Sequence, residues 1–203
     1  PFNGTAGNLP GTQYNWTNDN TAIGLAASGT GDIMPFVTTN ATNGPLVATI
    51  TVTPVGPTGC VGTPITFTIT VNPTPSVNTI ANQTVCTGTA TAAVTITGPV
   101  AGTVYSWTNN NISIGLGASG TNTIPSFTAI NTGSTPVTAT ITITPVFTNG
   151  GISCSGPTQS FTITVNPLPN IVFINLPQRV CLTDTIVTLR STPAAVSYKN
   201  LRA

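Results

Sequence analysis

The stretch TQYNWTNDNTAIGLAASGT at residues 12–30 returns as TVYSWTNNNISIGLGASGT at residues 103–121, ninety-one positions later. Outward from it, VATITVTP (47–54) returns as TATITITP (138–145), and FTITVNPTP (67–75) returns as FTITVNPLP (161–169). The spacing is that of one small domain, so the chain reads as a tandem array. A third copy begins at PQRVCLT (177–183), which echoes NQTVCTG (82–88). Phe2-Asn3-Gly4 lines up with Ile96-Thr97-Gly98, so nothing in the first copy answers to residues 76–95. The expectation is a piece of a longer protein, cut at both ends. Its modules are residues 1–74 (N-terminal strand missing), 75–168 (complete) and 169–203 (the start of a third).

Within each copy the period is two. Phe67, Ile69 and Val71 alternate with Thr68 and Thr70, and Ala48, Ile50 and Val52 alternate with Thr49, Thr51 and Thr53. Such alternation marks strands with one buried and one wet face. Pro, Gly and Asn punctuate the runs and sustained helix formers are absent, which predicts an all-β, immunoglobulin-like β-sandwich in each module. IGLAASG (23–29), with glycine at both ends, reads as a loop. Trp16 and Trp107 each follow a tyrosine by two residues, Tyr14 and Tyr105, on a central strand where a large ring fills the space between sheets. All four aromatics are predicted core residues and not ligand platforms. Pro73-Thr74-Pro75 and Pro167-Leu168-Pro169 are short, stiff linkers. Stacked modules should form a semi-rigid rod, each adding on the order of 35 Å.

Chemistry is scarce. The chain has no His or Glu, three acids (Asp19, Asp32, Asp184) and four bases (Arg179, Arg190, Lys199, Arg202), all four after position 178. General acid/base, Schiff-base, phosphate and metal chemistry lack parts here, so no catalytic, cofactor or metal residues are assigned and an enzyme is not expected. Asp19 aligns with Asn110 and Asp32 with Thr123, so neither acid recurs as a repeated Ca²⁺ site would require. The net charge of +1 lies in the C-terminal segment and forms no basic stripe for nucleic acid. No apolar run approaches the roughly 20 residues that span a bilayer. The apolar fraction of 39% is enough for folded sheets with a neutral Thr/Asn coat. Asn-x-Ser/Thr sequons at Asn3, Asn15, Asn40, Asn82 and Asn111 are what chance supplies in so Thr- and Asn-rich a chain.

The cysteines follow the repeat: Cys86 and Cys181 occupy one position near its start, Cys60 and Cys154 another near its end. A Cys86–Cys154 disulfide is expected inside the second module, stabilising it by roughly 4 kcal/mol. Cys60 and Cys181 would then pair outside the chain. The alternatives are free thiols or a four-cysteine metal site, for which CxxC spacing is lacking. A disulfide would imply an oxidising compartment, hence export.

The YxWTN…IGLxASGT segment, the ATITxTP strand and the closing FTITVNPxP together resemble the PKD-like repeats of very large Bacteroidota surface proteins, of which flavobacterial gliding-motility adhesins are carriers. The resemblance covers residues 1 to about 169, and the third unit more loosely. It implies passage through the type IX secretion system and display at the outer membrane of a Gram-negative cell. Asp184-Thr185-Ile186 resembles the short O-glycosylation acceptor motif of that phylum, which would place a glycan on Thr185. The leading function is a structural and adhesive spacer. Its partners are neighbouring modules, and beyond them surface polysaccharide or the type IX and outer-membrane machinery. The rival readings are a carbohydrate-binding module, which needs an exposed aromatic platform, and an accessory domain of a secreted hydrolase.

Overall fold

The structure, a computed structural model, describes residues 2, 10–169, 172–173 and 191–192. The first repeat lays β1 (Gln13–Asn18), β2 (Ser28–Thr30), β3 (Leu46–Val55) and β4 (Ile65–Val71) into one antiparallel sheet of order β2-β1-β3-β4. The second repeat contributes β5 (Gln83–Cys86), β6 (Val94–Thr95), β7 (Val104–Asn109), β8 (Ser119–Thr121), β9 (Thr123–Ile124), β10 (Val137–Asn149), β11 (Ile152–Ser155) and β12 (Gln159–Asn166). Its main sheet runs β5-β12-β10-β7-β8, with β11 on the far end of β10. Among the described residues all pairs are antiparallel except β5 with β12, which is parallel. Val172–Phe173 and Ser191–Thr192 form a further short antiparallel pair.

The two-residue period sorts each strand into faces. On β10 and β12, Ala139, Ile141, Ile143, Phe161, Ile163 and Val165 are all buried. On the opposite face Thr138 lies against Thr164 and Thr142 against Ser160, their hydroxyl oxygens 3.0 and 3.2 Å apart. Directly opposed hydroxyls of this kind stabilise a sheet without charge. The chain is all-β, as the alternation predicts, and its sandwich is lopsided. Facing the broad sheet is only the β6–β9 ribbon with its flanking extended segments, and Ile124 and Val94 pack with Trp107, Ile141 and Ile163 in a single core.

IGLAASG is a loop entered through one 3-10 turn, Thr21–Ile23, matched by Ile112–Ile114 in the second repeat. Asn20 and Asn111 cap these turns, each accepting at its side-chain oxygen from the amide two residues on, 3.2 Å away. Gly24 and Gly115 close them at φ of 95° and 98°, a conformation that only glycine adopts without strain.

The expected Cys86–Cys154 disulfide is not formed, and strand register is the reason. Cys86 sits opposite Asn166, at the C-terminal end of β12, beside the Val165–Val137 pair. Cys154 sits opposite Phe147, at the other end of β10. Val137 and Phe147 are separated by roughly 30 Å of extended strand. A disulfide requires Cα atoms closer than about 7 Å.

Candidate interface between the repeats

Each repeat is built around one tryptophan clamped by a glycine. Trp107 on β7 lies across from Gly120 on β8, and a Cβ added at Gly120 would stand 2.5 Å from the indole Cζ2. Gly29 faces Trp16 in the same way. Trp107, Tyr105 and Trp16 are buried, and Tyr14 is half-buried against Phe2. The Trp107 indole N–H donates to the Thr123 carbonyl at 3.0 Å, whereas that of Trp16 is buried with no acceptor among the described residues.

Asparagines fasten the loops. Asn109 is 8% exposed; its amide nitrogen donates to the carbonyls of Leu116 and Gly117, and its oxygen accepts from the Asn111 amide. Asn18 repeats the pattern with Leu25, Ala26 and Asn20. Asn131 holds the end of β12 by donating to the Val165 carbonyl at 2.8 Å, and Asn40 does the same to Val71. As loop fastenings these residues carry no distinct sequence signal, although they recur at matching places in both copies. Asp19 belongs to the same class: its carboxylate accepts from the Thr49 amide at 2.7 Å, and Asn110 accepts from Thr140 at the same distance. A carboxamide therefore does the work of the acid, which fits a structural fastening and not a metal ligand. Among the described residues no three His, Cys, Asp or Glu side chains come together.

The elements that meet a neighbour lie where the repeats join. Pro73 and Pro75 are fully buried, so the linker is packed into the protein and not strung between modules. Pro75 lies against Gly156, at a place where any Cβ on Gly156 would strike the Pro75 carbonyl. Asn72, the residue after β4, bonds reciprocally with Asn149 at the tip of the β10–β11 hairpin. The turn that carries Asn149 depends on Gly150 and Gly151, at φ of 57° and 78°.

The remaining sequence-derived residues do not assemble into a site. Cys60 and Cys86 are exposed and Cys154 is half-buried, all three as free thiols. Cys181 and Thr185 lie outside the described residues, as does most of 169–203. Among the described residues no helix is long and apolar enough to cross a membrane.

Comparison with known families gives one result: the family model described as PKD-like domain matches residues 4–75 and again residues 83–169. No curated protein matches the chain.

Proposed function

Because the chain belongs to the PKD-like domain family, whose members are commonly extracellular structural or adhesive modules and typically non-catalytic, we propose that it is a semi-rigid spacer segment of a secreted, cell-surface adhesive protein. The observation that carries this reading is the packed junction: Pro73 and Pro75 are buried and Asn72 is bonded to Asn149, so one repeat is held against the next. A stalk needs that property and an isolated binding module does not. The modules of the proposal are residues 1–74, 75–168 and 169–203, and family matches over 4–75 and 83–169 support the first two.

Three of the four aromatics that a sugar platform would use are buried and Tyr14 is half-buried, which favours the spacer over a carbohydrate-binding module. Adhesion would then come from weak contacts of the Thr-rich outer faces, multiplied by the number of repeats. Surface polysaccharide is the contact proposed for those faces. Export by the type IX machinery and attachment at the outer membrane are proposed on the resemblance of the repeats alone.

Small-angle scattering tests the spacer. A compact chain of 203 residues has a radius of gyration of about 17 Å. Two stacked repeats of on the order of 35 Å each require more than about 20 Å. A value at the compact limit rules the stalk out.

A further inference from the structure

The junction is held by a piece of chain that the first repeat lacks. Cys60 follows Pro54 by six positions, whereas Cys154 follows Pro145 by nine, and the three added residues lengthen the hairpin whose tip is Asn149-Gly150-Gly151. That tip is what reaches Asn72. The Asn149 carboxamide N–H donates to the Asn72 side-chain oxygen at 2.9 Å, and the Asn149 carbonyl accepts from Asn72 at 3.4 Å. Behind the tip, Asn149 pairs with Ile152, itself 64% exposed, as the last pair of the β10–β11 ladder. Gly150 and Gly151 are exposed.

Asparagine is a chemically labile side chain, and it is most labile before glycine, where no Cβ shields the following amide nitrogen. Among the described residues Asn-Gly occurs twice, at Asn43-Gly44 and Asn149-Gly150. Asn43 is exposed in the loop ahead of β3. At Asn149 the reactive carboxamide is itself the clamp on Asn72. It must let go of Asn72 before its Cγ can meet the Gly150 nitrogen, so attack requires the junction to release.

We propose that Asn149 is a self-modifying residue whose rate is governed by the Asn72 clamp, so that the junction between repeats carries its own timed release. The Gly150 amide nitrogen attacks the Asn149 Cγ, the bond from Cγ to the carboxamide nitrogen breaks, and that nitrogen leaves as ammonia with the proton that Gly150 gives up. The five-membered imide left behind takes up water at one of its two carbonyls. Opening at Cγ gives aspartate; opening at the main-chain carbonyl gives isoaspartate, with the backbone rerouted through the side chain. Neither product keeps the N–H that Asn72 accepts. Isoaspartate also adds a backbone atom at the residue paired with Ile152. Both products place a carboxylate, the one charged group in residues 75–168, in the partly buried contact between repeats, where burial penalises it.

The test incubates the intact chain at mildly alkaline pH beside a synthetic peptide of residues 146–155 carrying Cys154→Ser, and peptide mapping reads aspartate and isoaspartate at Asn149. Conversion in the chain should be at least about fivefold slower than in the peptide, the factor that one hydrogen bond of ordinary net strength supplies. Asn72→Ala should recover that factor, with slow amide exchange at Ile141 and Ile163 showing that the second repeat is folded. In the aged parent chain, ¹⁵N relaxation should show the two repeats tumbling apart. Equal rates in chain and peptide, an Asn149 that stays intact after Asn43 has converted, or a folded Asn72→Ala chain no faster than the parent overturns the proposal. So does a converted chain whose repeats still tumble as one. Should Asn72→Ala unfold, the chain-to-peptide ratio and the tumbling of the aged parent decide.

Discussion

Asn149 donates its carboxamide N–H to the side-chain oxygen of Asn72 at 2.9 Å, and Asn72 returns a bond to the Asn149 carbonyl at 3.4 Å, across a sequence separation of 77 residues. The pair joins the residue that follows one repeat's last strand to the hairpin tip of the next. Both side chains are partly buried, so each bond contributes on the order of 1 kcal/mol to the junction and nothing to either core.

Asn149→Ala should therefore loosen the junction without melting the repeats. ¹⁵N relaxation is the measurement: the two repeats of the parent chain should tumble together, and in the variant their correlation times should separate. Unchanged relaxation would assign the whole of the junction's stiffness to buried Pro73 and Pro75.

Gly120→Ala should destabilise the second repeat by about 1–3 kcal/mol, since the new methyl overlaps the Trp107 ring and β8 must move off β7. Gly29→Ala should do the same to the first repeat through Trp16. Gly117 is the control, because a Cβ there meets no atom within 4 Å. Urea unfolding should place Gly117→Ala within about 0.5 kcal/mol of the parent.

The repeat, its all-β character and the inward face of each strand are legible in the sequence because all three are one-dimensional signals. Duplication fixes the module length, and Thr alternating with Ile or Val on β3 and β10 fixes which side chains are buried. What is not legible depends on how strands are placed along one another. Cys86 and Cys154 look like a pair from their places in the repeat, yet β5 parallel to β12 carries Cys86 to the opposite end of the sheet from β11. Nothing in the periodicity of either segment contains that register. The Asn72–Asn149 contact is hidden for the same reason, with the further obstacle that asparagine is common throughout the chain. Asn109 and Asn131 carry no signal that separates them from the chain's other asparagines, yet both are buried fastenings, because a sandwich with so thin a second layer must satisfy its loop carbonyls with side-chain amides.

Asn109→Ala should accordingly cost about 2–3 kcal/mol, well above a surface change, by leaving the Leu116 and Gly117 carbonyls and the Asn111 amide without a partner. Thermal unfolding of the variant checks this. A loss below about 0.5 kcal/mol would mean that water replaces the carboxamide at that site.

Cys60, Cys86 and Cys154 should each take up iodoacetamide in the native chain without reductant, Cys154 most slowly because it is half-buried. Peptide mapping reads the adducts. Reductant should leave the unfolding midpoint in place, where an intramodule disulfide would lower stability by roughly 4 kcal/mol. A cross-linked peptide joining Cys86 to Cys154 would contradict the strand register found here.

The stability of the second repeat should be nearly independent of pH and salt. Residues 75–168 contain no Asp, Glu, His, Lys or Arg. Stability changes with pH only where the folded and unfolded states bind different numbers of protons, and between about pH 4 and 7 this segment has no side chain able to produce that difference. Nor has it an ion pair for salt to screen, so moderate sodium chloride should leave it unchanged. Sulfate should raise stability by strengthening apolar burial. Urea unfolding of the whole chain, followed through the NMR signals of Ile141 and Ile163, isolates this repeat. Midpoints at pH 4 and pH 7 should agree to within about 0.5 kcal/mol, since no linkage acts on the segment. A larger shift would mean that charge on Asp19, Asp32 or the C-terminal segment acts on the second repeat through the junction.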